Sequence, residues 1–187
     1  MYSVAKGKGW FNESYRHSLA AKGIRTKLHG RIVTRTQHGI PITIKEKPEK
    51  GRQYPVTPAE VKKRLDALPA DMVDGITEVN FRNPGPPVTK QDKAWAQYHR
   101  TEKRLNIFSQ PKNQISRAVR NYYMAYVVPH EVSHHFLQNN LKLNKDPVLI
   151  EEARADALAY GYNPFNQKVL KNFIERRRQM FGPRGTI

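Results

Sequence analysis

His130 and His134 stand four residues apart in the segment His-Glu-Val-Ser-His. Residues with that spacing on an α-helix project from the same face, about 40° apart around the axis and one turn apart along it. Two imidazole nitrogens placed in this way can hold one metal ion at roughly 2.0–2.1 Å each. Glu131 follows the first histidine directly, so its carboxylate would reach a water on that ion and could accept a proton from it. The segment therefore predicts a metal site with a general base.

Glu152 and Asp156 form a second pair with the same spacing further along the chain. A catalytic zinc site uses three protein ligands and keeps one position open, and Glu152 could be the third ligand. Asp156, one helical turn later, could hydrogen-bond the far nitrogen of a ligand histidine and fix its tautomer. The alternative for both pairs is a pair of ordinary helix faces, one with solvated or buried histidines and one with solvated carboxylates.

The two patterns in order, H-E-x-x-H followed by E-x-x-x-D, resemble those of the gluzincin branch of the zincin metallopeptidases. The run Glu-Ala-Arg-Ala-Asp-Ala-Leu-Ala that begins at Glu152 is similar to the third-ligand helix of the membrane-bound CAAX-processing family and of compact archaeal minigluzincins. The resemblance covers roughly residues 55–180 and implies a zinc metalloendopeptidase. It also implies a compact α+β, zincin-like domain in which a small sheet packs on helices and the metal site lies between two helices. By position it implies the zinc ligands His130, His134 and Glu152, with Glu131 as general base and Asp156 as the support of a ligand histidine.

The reaction implied by the resemblance is hydrolysis of a peptide bond. Zinc lowers the pKa of its water towards neutrality and polarises the scissile carbonyl group. Glu131 would take the proton of the water and pass it to the leaving amine. The developing oxyanion needs a second donor, for which His99, Tyr160 and Tyr162 are candidates. His135 adjoins the second ligand but would point about 100° away from it, so we expect it to pack or to face solvent.

The composition restricts the chemistry and the setting of such a site. The chain of 187 residues has no cysteine, so disulfides are excluded and a metal ion would have to use histidine and carboxylate ligands. It has no run of 18 apolar residues that would predict a transmembrane span, and its first residues lack an apolar stretch long enough for a signal peptide. We therefore expect a cytoplasmic protein without membrane association.

A net charge of +17 leaves a second class of function open. Residues 1–54 contain 12 lysines and arginines against 3 acidic residues, and residues 55–187 contain 21 against 13. A surface with that excess attracts polyanions in a salt-dependent way. The alternative function is a nucleic-acid or ribonucleoprotein-binding protein with a structural, latent or vestigial zinc site. The resemblance suggests a further alternative, a latent enzyme whose site is blocked by the N-terminal extension or by the tail 183–187.

The sequence pattern divides the chain into a basic N-terminal extension, residues 1–54, and a zincin-like domain, residues 55–187. The extension contains a predicted short helix that ends near Gly23. Alternating β-branched and polar residues predict a hairpin over 31–45, and Pro41 would restrict its second arm to the edge of a sheet. A charged, turn-rich linker precedes the second domain.

The elements expected to surround the site begin with a capping box formed by Thr57 and Glu60, which opens a helix. Two strands are predicted, at 76–81 and 104–109. By chain order, the strand at 104–109 would be the edge strand beside the cleft, where an extended peptide substrate could pair with it.

Pro129 constrains the helix that contains the two histidines. Proline is tolerated in the first turn of a helix but not in its interior. The ligand helix is therefore expected to start or kink near Val128, instead of continuing smoothly from a helix that begins near residue 113. A cap at Asp146 is predicted to start the Glu152 helix, and a last helix is predicted to end at Phe181.

Overall fold

The computed structural model describes residues 30–84, 94–143 and 146–182. The short helix predicted before Gly23 lies outside these residues. Within them the chain forms a five-stranded mixed sheet, a two-stranded sheet and a set of helices, which confirms the predicted α+β class. Among the described helices, none combines the length and the hydropathy that a membrane crossing requires.

The predicted hairpin is present, but its second arm lies inside the sheet. Strands β1 (Arg31–Arg35) and β2 (Pro41–Ile44) pair antiparallel. Gly39 in the turn between them has a φ of +80°, a conformation that favours glycine. Because β2 also pairs in parallel with β4 (Glu78–Arg82), the prediction that Pro41 holds this arm at an edge is wrong. Pairing with β4 begins one residue after the proline, so its missing N–H costs no hydrogen bond on that side.

The short strands β3 (Arg52–Gln53) and β7 (Gln110–Pro111) form the two-stranded sheet. Strands that the sequence analysis places in the N-terminal extension therefore pair with strands that follow residue 54 in both sheets. The division of the chain at that residue stays a prediction.

The edge of the five-stranded sheet nearest the histidines is a strand that the sequence analysis left unassigned. Strand β6 (Arg104–Phe108) lies between its parallel neighbour β4 and its antiparallel neighbour β5 (Ala96–His99). The order is β1-β2-β4-β6-β5, so the prediction that 104–109 forms the edge is wrong. Strand β5 has no second strand partner among the described residues. Its sequence, Ala-Gln-Tyr-His, contains no β-branched residue, which explains why composition did not indicate a strand.

One face of the sheet is apolar and packs against helices. Helix α1 (Pro58–Asp66) starts at the predicted capping box, in which Thr57 accepts a hydrogen bond from the Glu60 amide and the Glu60 carboxylate accepts one from the Thr57 amide. It is followed by the single turn α2 (Ala70–Val73). The core between these helices and the sheet consists of fully buried aliphatic and aromatic side chains: Ile42, Val61, Leu65, Val73, Val79, Phe81, Leu105 and Ile107.

The chain is helical without interruption from Arg117 to Asn140, although its hydrogen-bond pattern changes twice. Helix α3 (Arg117–Tyr122) leads into a π-turn over Tyr123–Val127, then α4 (Val128–His135), then a second π-turn over Phe136–Asn140. The α-helix that contains the two histidines begins at Val128, where a start or kink was expected, but the residues before it form a π-turn instead of a break in the helix.

The π-turn explains how the helix accommodates Pro129. The amide of Val128 bonds the carbonyl of Tyr123, five residues back, and Val128 keeps helical angles, with φ −63° and ψ −48°. A proline has no N–H, and its ring would collide with the carbonyl four residues back in a regular helix. The wider π-turn just before the proline opens that part of the helix, and such turns are frequent at functional sites.

Two further helices follow α4 in the chain. Helix α5 (Val148–Ala159) begins after Pro147, and the predicted cap residue Asp146 instead pairs with Arg154, whose Nε lies 2.8 Å from its carboxylate. Helix α6 (Gln167–Phe181) is capped by Asn166 and ends at Phe181, as predicted, with Gly182 as its C-cap.

His135 joins the edge strand to α4, in agreement with the expectation that it packs instead of binding a metal. Its side chain is fully buried, with Nδ1 3.0 Å from the Tyr98 hydroxyl and Nε2 2.7 Å from the Asp74 carbonyl. Burial lowers the pKa of His135. A neutral ring with a proton on Nε2 satisfies both contacts, because it donates to the carbonyl and accepts from the hydroxyl.

Replacement of His135 gives the first prediction. His135→Leu should lower the free energy of unfolding by about 1–3 kcal/mol, because the Tyr98 hydroxyl and the Asp74 carbonyl lose a buried partner. Urea denaturation of the two proteins measures the difference. As a matched control, His38→Leu in the hairpin turn should change stability by less than about 0.5 kcal/mol. An equally small effect for both variants would contradict the role given to His135.

Candidate metal centre

Helices α4 and α5 bring together the three residues proposed as ligands. His130 and His134 project from one face of α4, and their Nε2 atoms lie 3.1 Å apart. The carboxylate of Glu152 on α5 lies between them, with Oε2 3.4 Å from the His130 Nε2 and Oε1 3.3 Å from the His134 Nε2. These three side chains form a group that could hold a metal ion.

The distances between the ligand atoms agree with the size of a small cation site. In a tetrahedral site with metal–ligand distances of about 2.0–2.1 Å, neighbouring ligand atoms lie about 3.3 Å apart. The 3.1 Å between the two Nε2 atoms and the 3.3 Å from His134 Nε2 to Glu152 Oε1 lie close to that value, as does the 3.4 Å from His130 Nε2 to the other oxygen, Oε2. Two imidazole N–H groups cannot face each other at 3.1 Å, so at least one Nε2 must present a lone pair, as a metal ligand does. The donor set therefore fits a four-coordinate ion with one position left for another ligand.

Small side chains allow α5 to pack closely against both of its neighbours. Ala153 and Ala157 are completely buried against Leu170 and Phe173 of α6, whereas the buried Ala155 shares the helical face of Glu152, which points towards α4. On α4, the Ser133 hydroxyl bonds the Pro129 carbonyl at 2.8 Å, so this buried polar group needs no partner from another helix. The face of α4 that contacts α5 is consequently free for the two imidazoles.

Each histidine has a carboxylate beside its other ring nitrogen. Asp156 Oδ1 lies 2.9 Å from His130 Nδ1, at ion-pair distance but off the line of a good hydrogen bond, and it also accepts one from the Tyr126 hydroxyl. Glu151 Oε1 lies 3.0 Å from His134 Nδ1. Carboxylates in these positions orient the rings and leave the Nε2 atoms for the metal. Asp156 occupies the place expected from its spacing, whereas Glu151 was not anticipated.

Arg177 of α6 contacts two of the three carboxylates of α5. Its Nη2 lies 2.5 Å from Glu152 Oε2, and its Nη1 lies 2.8 Å from Asp156 Oδ2. The sequence analysis did not identify this residue. Its position was nevertheless informative, because Arg177 follows Leu170 and Phe173 on the buried side of α6. A basic residue in an apolar helical stripe calls for a buried acidic partner.

The site contains more negative than positive charge. Four carboxylates, those of Glu131, Glu151, Glu152 and Asp156, accompany one guanidinium, that of Arg177, among the residues described. Burial lowers the pKa of His134, but hydrogen bonds with Glu151 and Glu152 outweigh burial and raise the pKa to about 10.

The carboxylates respond in the opposite sense. Burial raises the pKa of Glu152, but hydrogen bonds with His130 and His134 outweigh burial and hold this pKa well below its usual range. The site therefore favours ionised carboxylates and bound positive charge, which is a requirement of a cation site.

Glu131 lies at the junction of α4 and the edge strand. Its side chain is half-buried, and its Oε2 accepts a hydrogen bond of 2.5 Å from the Tyr98 amide of β5. Tyr98 also places its ring against His135 of α4, with ring centroids 5.3 Å apart. Tyr98 therefore links β5 to α4 twice, through its ring to His135 and through its backbone amide to Glu131. The second link fixes the position of the Glu131 carboxylate.

A cleft of about 710 Å³ opens over the two histidines and Glu152. Its walls come from β5, from the helical segment before His130 and from the end of α6. Several of the lining side chains are aromatic or apolar: Trp95, Tyr98, Tyr122, Tyr126, Val127, Met180 and Phe181. The predicted oxyanion donors His99, Tyr160 and Tyr162 are not among the described residues that line it, whereas Tyr126 and Arg177 are.

Comparison of the chain with protein-family models, with curated proteins and with solved structures finds no match. The resemblance to gluzincins therefore rests on the two sequence patterns and on the His130, His134 and Glu152 group that the fold assembles.

Metal content gives the second prediction. Wild-type protein purified without added metal and then dialysed against one equivalent of zinc should retain about one ion per chain. The His134→Ala variant should retain none, because the two remaining ligands do not hold the ion. Elemental analysis measures the ratio. The buried but distant His135 provides a control, and His135→Leu should keep the ion. Equal, near-zero content in wild type and His134→Ala would refute the site.

The outer carboxylates give the third prediction. Asp156→Asn and Glu151→Gln should each weaken zinc binding about 10–100-fold, because each histidine loses the anion that orients its ring. Competition with a chromophoric chelator measures the dissociation constant. Glu175→Gln, on the exposed side of α6, should leave it unchanged. Affinities of all three variants within twofold of the wild type would show that the carboxylates do not support the ligands.

Proposed function

We propose that this protein is a zinc-dependent peptide-bond hydrolase. The observation that supports the proposal most strongly is the convergence of His130, His134 and Glu152 at the base of an open cleft. Two imidazoles, one carboxylate and an open position form the donor set of catalytic zinc sites in peptidases. When bound, the ion would act as a Lewis acid and lower the pKa of water at the open position.

Glu131 would act as the general base. It neighbours the first ligand in the chain and lines the same cleft as the ligand histidines. The Tyr98 amide holds one of its oxygens, which leaves the second oxygen to accept a proton from water. Glu131 would then return this proton to the leaving amine, as in general acid–base catalysis.

The edge strand β5 supports a peptide as substrate. The carbonyl of Trp95 bonds the amide of Phe108 in β6. Because inward and outward groups alternate in an antiparallel pair, the backbone groups of Ala96 and Tyr98 point away from the sheet. An extended peptide could add to this edge through its main chain, and such binding tolerates many sequences. The Tyr98 amide already bonds Glu131, so the groups left for this pairing are those of Ala96 and the carbonyl of Tyr98.

In the part of the chain that the structure describes, the lining of the cleft has no excess of arginines that would attract a polyanion. Three carboxylates, those of Glu131, Glu151 and Glu152, line it with two guanidinium groups, those of Arg100 and Arg177, and the carboxylates would repel the phosphates of a nucleic acid. The net charge of +17 favours nucleic-acid binding at other surfaces of the chain, and the alternative of a nucleic-acid or ribonucleoprotein-binding protein is a proposal for those surfaces only. Hydrolysis at the metal centre and nucleic-acid binding at other surfaces are compatible with each other.

The Glu131→Gln variant tests the catalytic part of this proposal. A glutamine oxygen can still accept the Tyr98 hydrogen bond, so zinc content and stability should be unchanged. Hydrolysis of a fluorescently labelled unfolded protein should fall by about 10²–10⁴-fold, because the amide cannot accept the proton. Glu175→Gln serves as the control and should retain full activity. Undiminished hydrolysis by the Glu131 variant would remove this residue from the mechanism, and a zinc-loaded wild type without hydrolysis would refute the proposed function.

A further inference from the structure

The guanidinium of Arg177 is placed to control how Glu152 binds an ion. Arg177 is 5% exposed, and its two terminal nitrogens contact two different carboxylates of α5. Its guanidinium group lies over the ring of Phe181, with the guanidinium carbon 5.3 Å from the ring centroid. The side chain is therefore fixed by three contacts from two helices, and its planar group has a defined orientation.

The two oxygens of Glu152 have different partners. Oε2 accepts the 2.5 Å hydrogen bond from Arg177 and lies 3.4 Å from His130 Nε2, whereas Oε1 lies 3.3 Å from His134 Nε2. A carboxylate can bind a metal ion through one oxygen or through both. Because Oε2 already shares its electron density with a cation, Oε1 is the better ligand atom, and binding through both oxygens is disfavoured.

Asp156 makes this arrangement stable. Its Oδ2 holds the second nitrogen of Arg177 at 2.8 Å, while its Oδ1 contacts His130 and the Tyr126 hydroxyl. A rotation of the guanidinium towards Glu152 alone would leave the Asp156 carboxylate without that partner in a buried position. The same group of contacts therefore aligns Glu152 and one of the ligand histidines.

We propose that Arg177 is a positioning residue that restricts Glu152 to one metal–oxygen bond, so that the ion has four ligands, with the fourth position left to water. The inference rests on the proposed function, since it concerns the same ion. A stability role alone is a weaker explanation, because buried ion pairs contribute little net stability compared with apolar residues of similar volume. An apolar side chain would also continue the buried stripe of Leu170 and Phe173 on α6.

Cobalt(II) in place of zinc provides a test that does not depend on activity. Four-coordinate cobalt absorbs visible light more strongly than five-coordinate cobalt, so the spectrum reports the number of ligands. The proteins compared are the wild type, Arg177→Met, Arg177→Lys and the control Arg178→Met, which alters an exposed arginine on the same helix. Lysine keeps the charge but has a single nitrogen that cannot occupy both guanidinium positions.

The wild type and Arg178→Met should bind one cobalt ion and show the strong four-coordinate spectrum. Arg177→Met should still bind one ion, but its absorption should fall about twofold or more as Glu152 supplies its second oxygen. Arg177→Lys should give an intermediate spectrum, and it decides the question if the methionine variant does not fold.

Two results would overturn the inference alone, and a third would also refute the proposed function. A five-coordinate spectrum in the wild type would show that the site does not hold the ion at four ligands. Wild-type spectra in both Arg177 variants would show that the guanidinium does not control the carboxylate. Absence of metal binding by the wild type would instead refute the proposed function itself, and the inference with it.

Discussion

The close packing of α4 against α5 is the constraint on which the rest of this site depends. The Glu152 carboxylate comes within 3.4 Å of both ligand nitrogens. Ala155, three residues after Glu152, shares its helical face and is completely buried, so a larger side chain there would push the helices apart. A shift of one ångström exceeds the tolerance of a metal site, so this alanine contributes to the chemistry although it is not a ligand.

The charges of the site follow from the same packing. Bringing Glu151, Glu152 and Asp156 next to two histidines produces a buried anionic cluster, which is costly unless cations accompany it. Arg177 supplies one positive charge, and the raised pKa of His134 shows that the carboxylates also favour a proton there. A divalent ion would compensate this charge while it displaces protons from the imidazoles, so metal binding and proton release would be coupled.

Much of the site could be predicted from sequence because it depends on helical periodicity. The spacing of His130 and His134, and of Glu152 and Asp156, places each pair on one face whatever the rest of the fold does. The contact of Glu151 with His134 depends on how two helices dock, and no local pattern encodes that. Arg177 is an intermediate case, since its place in an apolar stripe was visible but its partners were not.

The fold was predictable to a similar extent. The capping box of α1 and the hairpin follow from local turn chemistry, and both are present. The errors concern strand order. Chain order could not reveal that β5 lies outside β6, because its four residues contain no β-branched residue. Local rules for Pro129 predict an irregularity near Val128, and the α-helix begins there, but they do not predict the π-turn that precedes it.

The account as a whole requires that two imidazoles and one carboxylate oxygen bind a single ion. X-ray absorption at the zinc edge of the loaded wild-type protein measures this directly. We expect four nitrogen or oxygen neighbours at about 2.0–2.1 Å, with the outer-shell scattering of two histidine rings. Six oxygen neighbours, or a spectrum without histidine scattering, would contradict the account.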